Sequence, residues 1–395
     1  MITHKGFKYR LDPSLEQKQQ LLQHAGNTRF LWNQWLFKNI EYYKEEKKFI
    51  FSHEMIISLP KLKEEFEFLK LSGSQSLQTV GRQLDSALRD SFKKTKGFPR
   101  FKKKALERDS FHCPQGWKQT KKYIKIPKIG SIRWIKHRPL QGQAKSITIT
   151  QDGNQWYCSV LCEVEVKEKR KKKKNIIGID VGLKDFAVLS DGEVIKRQRF
   201  TKDYEKRLMK EQRRLSNKKK GSNKQKQRII VQNVHRKIRN SRKDFLHKIT
   251  HNMITKYDGF CLEDLNISGM MKNGKLSKSI ADASWSEFKR RLEYKSLWNS
   301  NYFIEVVRWF PSTKTCSSCE EKQSMELKDR IYECKSCGFE MNRDLNSAVN
   351  ILNEGKNTLG HRGINACGDG KVHDFSLEKS GGRQRSKKKN MQITV

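Results

Sequence analysis

The sequence lacks a run of apolar residues long enough to cross a membrane. A spanning helix needs about 20 such residues in a row, and no stretch of this chain approaches that length. No signal peptide opens the chain, since its first residues lack the short apolar segment that an export signal requires. We therefore expect a soluble intracellular protein that has no membrane partner.

Acidic residues are scarce beside basic ones. The 395 residues include 84 Lys and Arg against 43 Asp and Glu, which gives a formal net charge of +41. A solvated surface explains an excess of a few charges but not one of this size. A chain this basic binds phosphate backbones, and its affinity falls steeply with salt because each neutralised phosphate releases counterions. The composition indicates a DNA or RNA partner.

Cysteines are few and odd in number, which argues against a secreted disulfide scaffold in a chain of this size. Of the nine, Cys158, Cys162 and Cys261 fall in apolar segments and are expected to be buried thiols. Cys113 and Cys367 have no paired spacing that argues for a ligand, and the other four form two Cys-x-x-Cys pairs: Cys316, Cys319, Cys334 and Cys337. Such spacing predicts four thiolates around one structural Zn²⁺ with no open position. Two disulfides are the alternative, which an intracellular location disfavours.

The first half of the chain predicts a small β-barrel with a helical insertion. A short strand over 6–12 precedes a helical region at 14–95, where apolar residues recur at helical spacing and predict helices including 53–70 and 75–94. From about 121 to 166 the pattern changes to alternation of apolar and polar residues, clearest at Ile147, Ile149 and from Trp156 to Val164, and the Asp152-Gly153 pair indicates the turn of a hairpin. We assign 1–13 and 96–170 to the barrel and 14–95 to the inserted helical domain.

The second half predicts an RNase H-like α/β domain. After a basic linker, three strands are followed by a basic helical hairpin and then by alternating strand and helix. The predicted strands are Asn175–Asp180, Asp185–Ser190, Glu193–Phe200, Tyr257–Glu263 and Phe303–Val307, and the helices after the hairpin are Ser284–Trp298 and Arg343–Leu352. The whole is thus an α/β and β multidomain protein. Its predicted domains here are a nuclease domain at 171–309 and 341–354, a zinc ribbon at 310–340, and a basic flexible tail at 355–395.

Three acidic residues stand at the ends of predicted elements. Asp180 ends the first apolar strand, Glu263 ends the fourth, and Asp344 begins the final helix. Each alone has a structural explanation, such as a turn or an acid at a helix N-terminus. In an RNase H-like order, however, these three elements converge. We therefore predict that the three carboxylates bind two Mg²⁺ ions and hydrolyse a phosphodiester, with Asp264 as a weaker candidate because it points to the opposite side of its strand.

The motifs around these residues resemble the TnpB family of transposon-encoded RNA-guided nucleases, relatives of the type V CRISPR effectors. The resemblance covers most of the chain and is most specific in Gly-Ile-Asp180-Val-Gly-Leu-Lys, in Leu-Glu263-Asp-Leu-Asn, in the four cysteines and in Asn-Arg-Asp344-Leu-Asn-Ser-Ala. One position departs from the family, whose third motif usually reads Asp-Arg-Asp, because Asn342 replaces the first acid. The catalytic acid of that motif is the second one, which corresponds to Asp344.

The resemblance implies a RuvC-like nuclease in which Asp180, Glu263 and Asp344 are catalytic and bind Mg²⁺. It also implies a guide RNA made from the transposon end, a double-stranded DNA target next to a short adjacent motif read by the helical and barrel domains, and a location in the prokaryotic cytoplasm at the nucleoid. Two other functions compete with it: an RNA-guided repressor that binds without cleaving, and a transposase that joins strands. A repressor needs no acids, and the motif set with its inserted zinc ribbon favours the nuclease over the transposase.

Overall fold

The computed structural model describes residues 2–104, 109–166, 175–326 and 329–361. The linker, Cys367 and most of the predicted tail therefore lie outside the described residues. The chain forms two compact units, one from the described residues of Met1–Arg170 and Arg199–Phe245, the other from those of Lys171–Gln198 and Leu246–Val395. No helix within the described ranges is long and apolar enough to cross a bilayer.

The first unit begins with strand β1 (Ile2–Asp12) and continues into helices with their own apolar core. The helices are α1 (Leu15–Glu46), α2 (Ser52–Ile57), α3 (Leu59–Glu65) and α4 (Ser74–Phe92), with a 3₁₀ turn at Glu67–Leu71. The prediction of one helix over 53–70 is wrong. Pro60 favours a new helix start at Leu59, and Phe66 leaves the helical conformation.

A curled seven-stranded antiparallel sheet follows these helices. Its other strands are β2 (Ser110–Cys113), β3 (Lys118–Gln119), β4 (Tyr123–Ile126), β5 (Gly130–Ile135), β6 (Gln143–Asp152) and β7 (Gln155–Glu165), in the order β2-β6-β7-β1-β5-β4-β3. The predicted hairpin is confirmed as β6 and β7, with Gly153 at φ 64° in its turn. β1 pairs with both β7 and β5. Within the described residues the edge strands β2 and β3 do not pair, so a closed barrel remains a prediction.

The basic helical hairpin packs in the first unit, although the sequence placed it in the nuclease domain. It consists of α5 (Phe200–Asp203), α6 (Glu205–Ser216) and α7 (Ser222–Lys256), with α7 continuing past the end of this unit. Arg236 on α7 donates to the Asp152 carbonyl at 3.0 Å, and Arg239 forms an ion pair with the Asp152 carboxylate. The tip of the β6–β7 hairpin thereby binds α7.

The second unit is built on a five-stranded mixed sheet. Its strands are β8 (Ile176–Val181), β9 (Ala187–Leu189), β10 (Val194–Ile195), β11 (Gly259–Glu263) and β12 (Tyr302–Val306), in the order β10-β9-β8-β11-β12. β8, β11 and β12 are parallel, while β9 and β10 are antiparallel to their neighbours. All five predicted strands are present. The third strand is shorter than predicted. The guanidinium of Arg197 binds the backbone carbonyls of Leu183 and Ser279, and Phe200 already begins α5.

The remaining elements surround this sheet. They are α8 (Ile267–Met270), α9 (Ser277–Ala283), α10 (Trp285–Asn299), the small antiparallel pair β13 (Ile331–Glu333) and β14 (Glu340–Asn342), and α11 (Arg343–His361). The predicted helix at Ser284–Trp298 is confirmed as α10. The predicted tail begins too early, since α11 continues through residues 355–361.

Two glycines allow α11 to lie directly against the sheet. A Cβ at Gly178 of β8 would overlap the Ala348 carbonyl oxygen and lie 2.7 Å from the Leu352 nitrogen. A Cβ at Gly355 of α11 would lie 2.8 Å from the Cβ of Cys261 on β11. The nearest atoms that face Gly178 belong to the backbone of α11, so there is no room for a side chain between the helix and β8. This close contact fixes the position of α11 relative to β8.

Candidate active site

Parallel pairing of β8 with β11 brings two of the predicted acids together. Ile177 pairs with Phe260, and Ile179 with Leu262. Continuing this register by one residue sets Asp180 beside Glu263 at the carboxyl ends of both strands. Both strands are apolar up to that point because their side chains are buried on the sheet. The two acids therefore stand where the buried sheet meets its edge.

The third acid comes from the first turn of α11. Asn342 precedes the helix, and its Oδ1 accepts hydrogen bonds from the backbone N–H groups of Asp344 at 3.0 Å and Leu345 at 3.3 Å. The residue that departs from the family motif is thus the helix cap, a role that Asn performs as well as Asp. Arg343 forms an ion pair with Asp344, with 3.2 Å between Nη2 and Oδ1. The cap and the arginine hold Asp344 at the helix start.

The three carboxylates interact electrostatically. Burial, followed by the negative charges of Glu263 and Asp344, raises the pKa of Asp180 well above its ordinary value, against the opposing effects of Arg343 and Ser347. Burial also raises the pKa of Glu263, and the hydroxyl of Ser312 partly offsets this. Neighbouring carboxylates that resist ionisation in this way are typical of functional sites and of cation sites.

A chain of hydroxyl groups links two of the acids. The Ser312 hydroxyl donates to Glu263 Oε1. The Ser347 hydroxyl donates to Ser312 Oγ at 3.0 Å, and its proximity to Asp180 partly offsets the larger effect of burial, which raises the pKa of that acid. Both serines are buried, so their hydroxyls must find partners inside the protein. Ser312 and Ser347 therefore orient Glu263 and Asp180 relative to each other.

Asp180 and Asp344 line a shared cavity of about 210 Å³. The same cavity is also lined by Lys184, Asp185, Thr313, Arg330 and Arg343. Asp185 is paired with Lys196 at 3.0 Å. Asp264 lies elsewhere, in an ion-pair network with Lys289 and Arg308 that lowers its pKa to about 2 against the effect of burial. Asp264 thus has a structural role, in keeping with its weaker rank from the sequence.

The raised pKa values predict how the stability of the magnesium-free chain depends on pH. A folded state with raised carboxyl pKa values holds protons that the unfolded chain has already released, so stability falls as pH rises from the ordinary Asp and Glu values through the raised ones. We expect wild-type protein without added magnesium to lose stability towards urea, relative to Asp180→Asn, as pH rises from mildly acidic to neutral, because the other titrating groups are common to both proteins. Equal slopes of stability against pH in the two proteins would contradict the assigned electrostatics.

The four predicted cysteines form one cluster. The Sγ atoms of Cys316 and Cys337 are 3.8 Å apart, and those of Cys319 and Cys334 are 3.6 Å apart. Four sulfurs at about 2.3 Å from a tetrahedral metal are about 3.8 Å from one another, whereas a disulfide requires about 2.05 Å. The cluster therefore fits a closed metal centre and excludes the two alternative disulfides. Backbone N–H groups of Cys337 and Ser336 lower the pKa of the Cys334 thiol, which favours the thiolate.

The donor atoms of the four cysteines lie closer together than those of the three carboxylates. Across the described part of the chain, the cysteines are the one group of metal-ligand residues whose donor atoms all lie within 4.8 Å. The three carboxylates are more widely spaced.

The first cysteine knuckle, the loop from Cys316 to Cys319, is held against α11 by hydrogen bonds with two asparagines to which the sequence assigned no role. Asn346 accepts from the Ser317 N–H at 2.9 Å and donates to the Thr315 carbonyl at 2.8 Å. Asn350, one turn later, donates to the carbonyls of Ser312 at 2.8 Å and Thr315 at 2.6 Å. Both asparagines are buried. The one available signal is polar residues on the helix face that also carries Ala348 and Ile351.

Family models match three parts of the chain. One described as a probable transposase matches residues 159–274, one described as a Cas12f1-like TNB domain matches 285–351, and one described as a helix-turn-helix domain matches 1–48. The solved structure of a Cas12f1–sgRNA–target DNA complex is similar with a TM-score of 0.59 at 13% identity, covering 89% of this chain and 99% of that one. At this identity the likeness shows a shared fold.

Relatives match nearly the whole chain. InsQ of Escherichia coli K12, which is named as an RNA-guided DNA endonuclease, is 33% identical over 92% of this chain and 94% of its own. A protein of Streptomyces pristinaespiralis with the same naming is 32% identical over 93% of this chain and 91% of its own. A TnpB-like protein of Acanthamoeba polyphaga mimivirus is 30% identical over 55% of this chain and 45% of its own. With the motifs, the fold and these relatives in agreement, the chain belongs to the TnpB family, whose members are named as RNA-guided DNA endonucleases.

Proposed function

We propose that this protein is an RNA-guided DNA endonuclease in which Asp180, Glu263 and Asp344 are the catalytic carboxylates of a RuvC-like, RNase H-like domain. The convergence of these acids from β8, β11 and α11 carries the proposal, since the charges of Glu263 and Asp344 raise the cost of ionising Asp180 and a bound cation removes that cost. The strand order of the second sheet, three antiparallel strands followed by two parallel ones, supports it.

The site would hold two Mg²⁺ ions, which supply Lewis-acid stabilisation of the attacking and leaving oxygens of a phosphodiester. The carboxylates provide the hard oxygen ligands that Mg²⁺ prefers. Ser312 and Ser347 keep two of them oriented. Lys184, Arg330 and Arg343 add positive charge to the wall of the cavity, where it can contact phosphate oxygens. The four cysteines would hold Zn²⁺ as a structural ion.

The partners proposed for the chain are a guide RNA from the transposon end and a double-stranded DNA target. Relatives named as RNA-guided DNA endonucleases and the net charge of +41 support both. Pairing with the guide would supply sequence specificity, while the protein binds backbones and reads a short adjacent motif. The predicted helical domain and barrel, 14–95 with 1–13 and 96–170, would read that motif.

Strand transfer is the second candidate, favoured by the family description as a probable transposase. The same acids permit it, because a strand end can replace water as the nucleophile. The products separate the two functions: hydrolysis leaves free ends, whereas transfer leaves joined strands.

Exchanging only the guide segment of the bound RNA tests the proposal. Cleavage should move to the DNA sequence that the new guide specifies, provided that the adjacent motif is kept, because pairing determines the site. Mismatches next to that motif should reduce cleavage more than distal ones, since pairing begins there. Sequencing of the product ends measures both effects. A repressor would move its binding site without cutting, and equal cleavage of unrelated DNA without RNA would leave only a metal-dependent nuclease.

A further inference from the structure

One aromatic side chain beside the acids is almost fully exposed. Trp309 is 85% exposed, the highest value among the large apolar side chains that the structure describes. Its neighbour Phe310 turns inward and packs against the core cluster that includes Cys261 and Ile304. Single exposed apolar residues are ordinary on protein surfaces. What distinguishes Trp309 is the rigid turn that carries it and the position of that turn.

The turn is closed by a hydrogen bond from the Phe310 N–H to the Val307 carbonyl at 3.0 Å, with Arg308 and Trp309 at its centre. Arg308 Nε donates to the Asp264 carbonyl at 3.1 Å, and its guanidinium also pairs with the Asp264 carboxylate. The backbone that presents the indole is therefore held at both sides. An exposed side chain on a fixed backbone loses little conformational freedom on binding, which favours affinity.

Both ends of this segment contact the residue pair Glu263 and Asp264. Before the turn, Val306 pairs with Glu263 in the parallel register of β12 and β11. After it, Ser312 donates its hydroxyl to Glu263. Three residues separate Trp309 from Ser312, so their Cα atoms are at most about 11 Å apart. The indole thus lies within a few nucleotides of a phosphodiester bound at the carboxylates.

We propose that Trp309 is a stacking site for an unpaired base of the DNA strand that enters the active site, an inference that rests on the proposed endonuclease function. An indole face binds any base by stacking, whereas a base inside a duplex has both faces covered. The exposed neighbours Arg308, Thr313 and Lys314 make the surroundings polar and basic, which suits a nucleic-acid strand. A protein-docking surface would instead need a larger apolar core.

A cycle that combines a protein variant with a base deletion tests this site. Full-length protein with its RNA, carrying Asp344→Asn to prevent cleavage, is titrated with single-stranded oligodeoxynucleotides that each lack one base. Trp309→Leu should weaken binding of the intact strand about 5- to 150-fold. Removing the stacked base should weaken binding to the wild-type Trp309 protein by a similar factor. It should leave the affinity of the Leu variant almost unchanged, because both changes remove the same interaction. Trp309→Phe should restore much of the affinity.

Two matched control variants test whether any loss of exposed apolar surface weakens binding. Val307→Ser alters the other exposed apolar residue of the turn, and Phe37→Leu alters a half-exposed aromatic of the first unit. Each should change binding by less than about twofold, as surface substitutions do. If Trp309→Leu binds normally, or if its loss adds to that of every base deletion, the stacking site is refuted. An equal loss in Val307→Ser without any base dependence would show that binding depends on the structure of the turn and not on stacking, which refutes the site as well.

The measurement separates this inference from the proposed function. It reads affinity for a single strand and does not require cleavage. Guide-directed cleavage by the wild type together with an additive cycle would refute the stacking site alone. Cleavage that ignores the guide together with a coupled cycle would refute RNA guidance and keep the stacking site.

Discussion

Alanine at Asp180, Glu263 or Asp344 should each lower cleavage of target DNA at least about a thousandfold while RNA binding stays nearly unchanged. The magnitude follows from losing several kcal/mol of transition-state stabilisation when a metal ligand is removed. RNA binding is spared because phosphate contacts come from lysines and arginines elsewhere in this basic chain. Single-turnover cleavage rates and RNA affinity, measured on the same preparations, check both parts.

The structure supplies matched controls for this experiment. Asp185 lines the same cavity as Asp180 but is neutralised by Lys196. Asp264 follows Glu263 directly but belongs to the network of Lys289 and Arg308. Alanine at Asp185 or Asp264 should keep substantial activity, with a loss of stability at Asp264. Near-normal cleavage after replacing any one of the three acids would remove that residue from the site.

Replacing Cys316 or Cys334 with serine should abolish zinc binding and sharply reduce thermal stability. A structural zinc ion binds the folded chain far better than the unfolded one, so its binding free energy is part of the folding free energy. Removing magnesium should act differently, stopping cleavage reversibly while the fold remains intact. Elemental analysis, thermal unfolding and cleavage after restoring magnesium distinguish the two effects.

Cys162→Ala is the matched control for the zinc prediction. Cys162 is fully buried in the sheet of the first unit and lies outside the cysteine cluster. Its replacement should cost stability through lost packing and leave the zinc content unchanged. If the wild type contains no zinc and thiol titration finds the four clustered cysteines free, the metal centre is wrong.

The parts of the site that could be predicted are those with a local signature. An acid after an apolar strand and two Cys-x-x-Cys pairs are visible in a few consecutive residues. The structure gathers the four cysteines into one cluster and sets Glu263 and Asp344 close enough to Asp180 for their charges to add to burial in raising its pKa. Asn346 and Ser347 fall within the third motif and Asn350 follows it, but none of them has a local pattern that indicates its role, because their partners lie about 30 to 40 residues away, at Ser312 and Ser317. Buried polar residues on a helix become interpretable only when the chain opposite them is known.

Gly355 shows how the same residue type can mislead. The sequence predicts that the last helix ends at Leu352 and that the tail begins at 355, and glycine is also common just after a helix end. In the structure it lies inside α11, where the small residue allows contact with Cys261. Glycine is needed here because the helix and the strand approach closely, and not because the backbone needs a conformation that other residues avoid. The sequence alone does not distinguish these two reasons, since the partner strand is not known from it. Within the described residues the helix continues as far as His361.

The two asparagines of α11 also determine how force passes through the second unit. Displacing Thr315 or Ser317 from α11 would break hydrogen bonds to Asn346 and Asn350, and Ser312 in the same segment is bound to Glu263. Moving the base of the first cysteine knuckle therefore breaks hydrogen bonds to α11 and disturbs the one to Glu263, so the knuckle, Glu263 and the helix that carries Asp344 are mechanically coupled.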